Sequence, residues 1–123
     1  IVENSEEEIN KLKYFAEQKG MYDNIYWQIG AIKEMNALWK NIDVYIRPTN
    51  SDGDSVAIRE ALSFGVKVVA SDVCIRPQGT YVYSFDDKED FTLKVFDCLN
   101  SEDQTVYEFD YYNEMLSIYR NIS

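Results

Sequence analysis

Residues 44–73 read VYIRPTNSDGDSVAIREALSFGVKVVASDV, and no other stretch constrains the fold as tightly. Val44, Tyr45 and Ile46 form an apolar segment that reads as a buried strand, and Val66, Val68, Val69 and Ala70 form a second one. The residues from about Val56 onward between them carry helical spacing, so the unit reads as strand, loop, helix, strand. Such units build parallel sheets, and open parallel sheets bind ligands in the crevice beyond the carboxyl ends of their strands. Two carboxylates, Asp52 and Glu60, have seven residues between them across the loop-to-helix junction. That spacing points to a ligand site at a helix N-terminus.

The chemistry of such a site follows from the residue types. Asp54 or Ser55 is placed to cap the helix, whose free first-turn N–H groups and dipole favour a phosphate. Gly53 lets the backbone approach that anion closely and tolerates positive φ. Glu60 lies more than a turn into the helix, where a carboxylate can accept two hydrogen bonds from a vicinal diol such as ribose. Asp52, just before the glycine, is placed to reach a sugar. Arg47 and Arg76 fall in or beside loops at the strand ends, where a diphosphate needs compensating charge, and Thr49 and Asn50 are weaker candidates. Arg59 sits about 100° around the helix from Glu60 and is expected in a surface ion pair. The plainer alternatives are a solvated Glu60, Asp52 as a turn or cap residue, and arginines that only balance nearby acids.

Taken together, Pro48-Thr49, Asp52-Gly53, Glu60-Ala61-Leu62, Gly65 and Val68-Val69-Ala70-Ser71-Asp72 resemble the donor-binding half of a GT-B glycosyltransferase of glycosyltransferase family 4. Asn41-Ile42-Asp43-Val44-Tyr45 is similar to that family's approach to its motif strand, and Arg76-Pro77-Gln78-Gly79-Thr80 falls where many members carry a Gly-Gly-x-Pro-Glu loop. Cys74-Ile75-Arg76 replaces the glycines there and Gln78 the glutamate, so those contacts do not carry over; Asp52 stands for the usual Glu, one methylene shorter.

The resemblance implies an α/β Rossmann-like domain, a three-layer parallel sheet with helices on both faces, forming the C-terminal half of a GT-B architecture. It implies Glu60 on ribose, Asp52 beside the transferred sugar as the catalytic carboxylate, the Gly53, Asp54 and Ser55 amides near phosphate and sugar oxygens, and, as a weaker candidate, the Ile29–Gly30 turn against the nucleobase. The implied activity is transfer of a sugar from a nucleotide-diphosphate donor, with retention of configuration, to a glycan or lipid-linked acceptor. That acceptor would be bound by the other lobe. No cofactor and no metal are expected, the nucleotide-sugar being a substrate.

Length and charge fit one lobe. The chain has 123 residues, whereas two such lobes exceed roughly 300. It begins at Ile1, and we expect one donor-binding domain over residues 1–123, cut from a parent whose N-terminal lobe holds the acceptor and whose missing segment grips the diphosphate. A net charge of −10 argues against nucleic acid or an anionic membrane as partner of this piece, leaving membrane contact to the absent lobe. No apolar run approaches the ~20 residues of a membrane span. Cys74 and Cys98 have neither metal spacing nor disulfide-scaffold density, which suits a reducing, cytoplasmic setting, peripheral to the membrane at most. The chain has no histidine, which removes imidazole catalysis from it.

Elsewhere, residues 6–19 predict a helix with acids in its first turn and Gly20 as its stop. Ile25, Tyr26 and Trp27 suggest a strand ending at Gly30, and Ile32 to Trp39 a short helix. Tyr81 to Ser84 reads as a strand, Asp87 to Leu99 as a helix, and Gln104 to Tyr119 as a helix whose Tyr107, Tyr111, Met115, Ile118 and Tyr119 serve packing. Three other classes are set beside the resemblance. A nucleotide-sugar epimerase of the same fold would use a histidine. A flavodoxin-like or receiver module is the non-enzyme alternative; a receiver needs an acidic pair after its first strand and a lysine at a later strand end, where this chain has Ser71-Asp72 and no such lysine follows. A binding-only GT-B lobe would keep the fold and lose the chemistry.

Overall fold

The computed structural model describes residues 6–28 and 32–102. The chain divides into two compact units, Ile1–Met35 and Asn36–Ser123. In the first, helix α1 spans Glu6–Gln18 with Glu6, Glu7 and Glu8 in its first turn, where the helix dipole favours negative charge. It stops as expected at Gly20, whose φ of 69° supports a closing pair of hydrogen bonds, Met21 N–H to Ala16 O at 2.9 Å and Gly20 N–H to Glu17 O at 3.0 Å. A 3₁₀ turn, Tyr22–Asn24, follows.

The strand expected at Ile25–Trp27 is not formed. These residues carry no ladder, and Tyr26 is 88% exposed. Aromatic and β-branched composition gives a strand only where a neighbour accepts its hydrogen bonds. Trp27 instead lies 6.3 Å from the Tyr22 ring, with the Lys13 ammonium 5.8 Å from its centroid. Gly30 and the expected helix over Gln104–Tyr119, with its aromatic stripe, lie outside the described residues.

Helix α2, Met35–Trp39, is shorter than the Ile32–Trp39 expected. So short a helix has little stability of its own, and burial of its last residue, Trp39, at 2% exposure anchors it.

The second unit holds β1 (Val44–Arg47), α3 (Val56–Ser63), β2 (Lys67–Ser71), β3 (Thr80–Tyr83) and α4 (Lys88–Asn100). Among the described residues the strands form one parallel sheet in the order β1-β2-β3, with Ile46 opposite Val69 and Ala70 opposite Val82. The first strand is not the buried one expected: Val44 and Tyr45 are half-buried and Ile46 is 40% exposed, because among the described residues β1 stands at the edge of the sheet and pairs with β2 alone. The central strand β2 reads as a continuous apolar run because both of its faces are covered: Val68, Val69, Ala70 and Ser71 are all fully buried. Each valine so buried contributes about 1.5–3 kcal/mol. On the Val69 face the core continues through Tyr83 and Cys98, with Phe91 and Val95 of α4 packed against it.

Local signals set the helix ends. Ser55 caps α3 by accepting the Ile58 N–H at 3.3 Å. Gly65, at φ 77°, closes it with Val66 N–H to Ala61 O at 2.9 Å and Gly65 N–H to Leu62 O at 3.1 Å. Asp87 caps α4 by accepting the Asp90 N–H at 3.0 Å. Lys67 closes the other end of α4, donating to the carbonyl oxygens of Cys98 and Ser101, where a cation meets the negative end of the dipole.

Candidate functional site at the carboxyl edge of the sheet

Because all strands run the same way, the segments after β1, β2 and β3 leave the sheet at one edge. Arg47 ends β1, and Pro48, lacking an N–H, turns the chain out of the ladder. The loop then brings Asp52 back onto Arg47. Arg47 Nε donates to Asp52 Oδ2 at 2.6 Å and Nη2 to Oδ1 at 3.0 Å, a bidentate pair. Arg76, from the segment after β2, donates from Nη1 to Asp52 Oδ2 at 2.7 Å. Thr49 Oγ1 donates to the same oxygen at 3.3 Å.

Arg76 is a buried arginine, its side chain 1% exposed. Its remaining nitrogens are engaged by Ser71, through the carbonyl at 2.8 Å and the hydroxyl at 3.2 Å, and by Thr49 Oγ1 at 3.3 Å. Ser71 in turn donates its hydroxyl to the Thr49 carbonyl at 2.6 Å, tying the end of β2 to the loop after β1. Arg76 therefore influences a ligand through Asp52 and Thr49. Arg47 is different: its side chain is 29% exposed, and part of its guanidinium fork is left over after Asp52 and the Tyr45 hydroxyl at 3.1 Å.

The cluster of Arg47, Asp52 and Arg76 carries one net positive charge in a chain of net charge −10. Arg47, hydrogen-bonded to it, holds the Asp52 carboxyl well below the usual carboxylate range; burial opposes this and Arg76 reinforces it. Asp52 in turn raises Arg47 further above its ordinary value. Asp52 is thus an anion at neutral pH and no source of protons. Its side chain is 8% exposed, and Oδ2 takes three of its four donors, so Oδ1 holds the remaining acceptor capacity.

Beside this cluster stands the N-terminus of α3. Ser55 is its cap, and Asp54 pairs instead with Arg59, Nε to Oδ1 at 3.1 Å, the ion pair expected of Arg59. Gly53 is exposed, its φ lies outside the left-handed region, and a Cβ built on it meets no atom within 4 Å. The protein's own packing does not require a glycine there. The Cys74 thiol reaches the Gly53 carbonyl at 3.3 Å, so the segment after β2 lies against the loop after β1.

Glu60 is half-buried, not a freely solvated helix residue. Its Oε2 accepts the indole N–H of Trp39 at 3.3 Å, across 21 residues of sequence. Trp39 packs edge-on against Tyr45, the rings 5.1 Å apart at 72°, and the Tyr45 hydroxyl accepts from Arg47. A continuous line of contacts therefore joins Glu60 to Asp52 through two aromatic residues. Sequence reasoning placed Trp39 and Tyr45 only as helix and strand residues, and no linear spacing signals their side-chain partners.

An apolar hollow of about 240 Å³ opens at the same edge, lined by Pro48, Tyr83, Phe85, Phe91 and the start of α4, and it includes neither Asp52 nor Glu60. Among the described residues no group of three or more His, Cys, Asp or Glu is placed to hold a metal ion, and no helix is long and apolar enough to cross a membrane. Ile29 and Gly30 lie outside the described residues. No protein-family model matches the chain, and no curated protein is detectably similar to it. The family resemblance rests on the motif residues themselves.

Proposed function

We propose that this chain is the nucleotide-sugar-binding lobe of a retaining GT-B glycosyltransferase resembling family 4, a Rossmann-like three-layer domain that works in the cytoplasm with a second, acceptor-binding lobe. The observation that carries this reading is the meeting, at the carboxyl edge of a parallel sheet, of a net-positive arginine–carboxylate cluster with the capped N-terminus of α3. Parallel sheets bind ligands at that edge, and helix N-termini favour phosphates.

In this reading the diphosphate lies over the Gly53–Ser55 backbone, in the open space above Gly53, with the free part of Arg47 supplying charge. Glu60 takes the ribose hydroxyls. Asp52, fixed by its arginines, faces the sugar as a permanent anion, which favours positive charge developing at the anomeric carbon as the diphosphate departs. The leaving group's charge is met by amides and guanidinium. The acceptor, a glycan or lipid-linked sugar, arrives from the other lobe.

Titrating the chain with uridine, guanosine and adenosine diphosphates, followed by amide NMR shifts, tests the reading. The expected shifts concentrate at Gly53, Asp54, Ser55 and Glu60. Shifts confined to the opposite edge of the sheet, around Ile42, Lys67 and Ser101, would overturn it.

One observation favours a second reading, a lobe that binds the donor without catalysing transfer. The Asp52 carboxylate is turned inward and largely used by Arg47, Arg76 and Thr49. Transfer by the parent enzyme that is unchanged in Asp52→Asn, with donor binding intact, would select it.

A further inference from the structure

The last residue of α2 has a chemistry that its packing alone does not use. Trp39 is 2% exposed and wedged edge-on against Tyr45, so its indole is fixed in place. A buried indole N–H requires an acceptor, and here the acceptor is Glu60 Oε2 at 3.3 Å. The hydrogen bond works in both directions. A glutamate on a helix has several free torsions, and engaging a ligand costs it that freedom. One oxygen of Glu60 is held by a rigid donor, while among the described residues no donor is placed on Oε1. A carboxylate anchored on one side and open on the other is set up to accept from paired hydroxyls.

We propose that Trp39 is a positioning residue for ribose recognition, acting through Glu60; the inference rests on the donor-site reading above and adds a residue to it. The indole N–H orients the carboxylate before the ligand arrives, so that the vicinal diol meets a preorganised acceptor. Tyr45 holds the indole and also accepts from Arg47, so one aromatic pair supports both halves of the site.

The test compares the three nucleoside diphosphates with their 2′-deoxy counterparts, which lack one hydroxyl of the diol. Dissociation constants are measured by NMR titration on the wild-type chain and on Trp39→Phe, which keeps an aromatic ring and removes the N–H. Because Trp39 is buried, a second variant replaces it with benzothienylalanine, whose sulfur stands where the N–H was and whose shape is nearly unchanged. Wild type is expected to prefer the ribonucleotide by about tenfold, the scale of one charge-assisted hydrogen bond. Both variants should lose about three- to tenfold of that preference, through weaker ribonucleotide binding and unchanged deoxynucleotide binding. In a Glu60→Ala background, which removes the acceptor of the indole N–H, removing the N–H should change the preference no further.

Unchanged preference in both Trp39 variants, or a loss that persists in the Glu60→Ala background, overturns the inference and leaves the donor site standing. A wild-type chain that binds none of the diphosphates overturns the donor-site reading, and the role of Trp39 falls with it.

Discussion

Arg76 reaches Asp52 across 24 residues of sequence, Nη1 to Oδ2 at 2.7 Å, and does so with a side chain that is 1% exposed. A guanidinium so buried is tolerable because Asp52 neutralises it and Ser71 and Thr49 satisfy its other donors. The segment after β2 is thereby locked to the loop after β1. Asp52 is a fold-stabilising residue whatever else it does.

Asp52→Asn should therefore destabilise the chain by about 3 kcal/mol at neutral pH, because it leaves a buried arginine without its counter-charge. The pH dependence has a definite sign. The folded-state pKa of Asp52 lies below its ordinary value, so the stabilisation is full above the unfolded value of about 3.9 and is lost as pH falls below it toward the folded value. Urea unfolding of both proteins should show a wide gap at pH 7 that narrows below about pH 4. A gap that stays constant into acid would mean the carboxylate charge is not what matters.

Two glycines of the motif should respond oppositely. Gly65 sits at φ 77° and closes α3, so Gly65→Ala is expected to cost about 1–2 kcal/mol of stability. Gly53 has ordinary φ and open space around its Cα, so Gly53→Ala should leave stability unchanged or raise it by up to about 1 kcal/mol. If the diphosphate lies over Gly53, that same methyl should weaken nucleotide binding. Thermal melts paired with ligand titration separate the two effects, and a Gly53→Ala protein that binds as well as wild type would move the anion elsewhere.

The two thiols should differ in reactivity. Cys98 is fully buried on the core face of α4, and burial pushes its thiol up from the ordinary value, whereas Cys74 is half-exposed at the loop against Gly53. Mass spectrometry after brief iodoacetamide treatment at pH 8 should find Cys74 modified and Cys98 modified only in denaturant. Nucleoside diphosphate should slow the Cys74 reaction. Equal labelling of both in native buffer would contradict the packing of α4.

Local chemistry made much of this molecule legible in its sequence. Apolar runs marked β1 and β2, the capping serine and the closing glycine bounded α3, and the acid-rich turn and Gly20 bounded α1. Ile25–Trp27 failed because strand composition describes a residue's preference for a half-buried pleated surface, and pairing is decided by whether a neighbouring strand is there. The site was legible as a set of residues and not as a wiring. Spacing brought Asp52, Ser55 and Glu60 to one helix end, but which arginine would be buried, and that Trp39 would donate to Glu60, depends on loop paths that bring residues 21 or 24 positions apart into contact. Linear periodicity carries no record of those.

In the glycosyltransferase proposed above, the sharpest division of roles is expected between Glu60 and Asp52. Glu60→Gln keeps a carbonyl oxygen that can still accept from Trp39, so the fold should tolerate it. If Glu60 holds ribose in ground and transition states alike, the change should raise the donor KM by the equivalent of about 1–3 kcal/mol and alter kcat less. Asp52 should show the reverse pattern. Its charge is fixed by Arg47 and Arg76; if the sugar lies beside it as proposed, Asp52→Asn should lower kcat more than it alters donor binding, with the product keeping the donor's anomeric configuration. Because the same change costs stability, rates must be taken well below the variant's melting temperature and normalised to folded protein. Normal kinetics in both variants under those conditions would make Glu60 a helix residue anchored by Trp39 and Asp52 the counter-ion of a buried arginine, with no part in transfer for either.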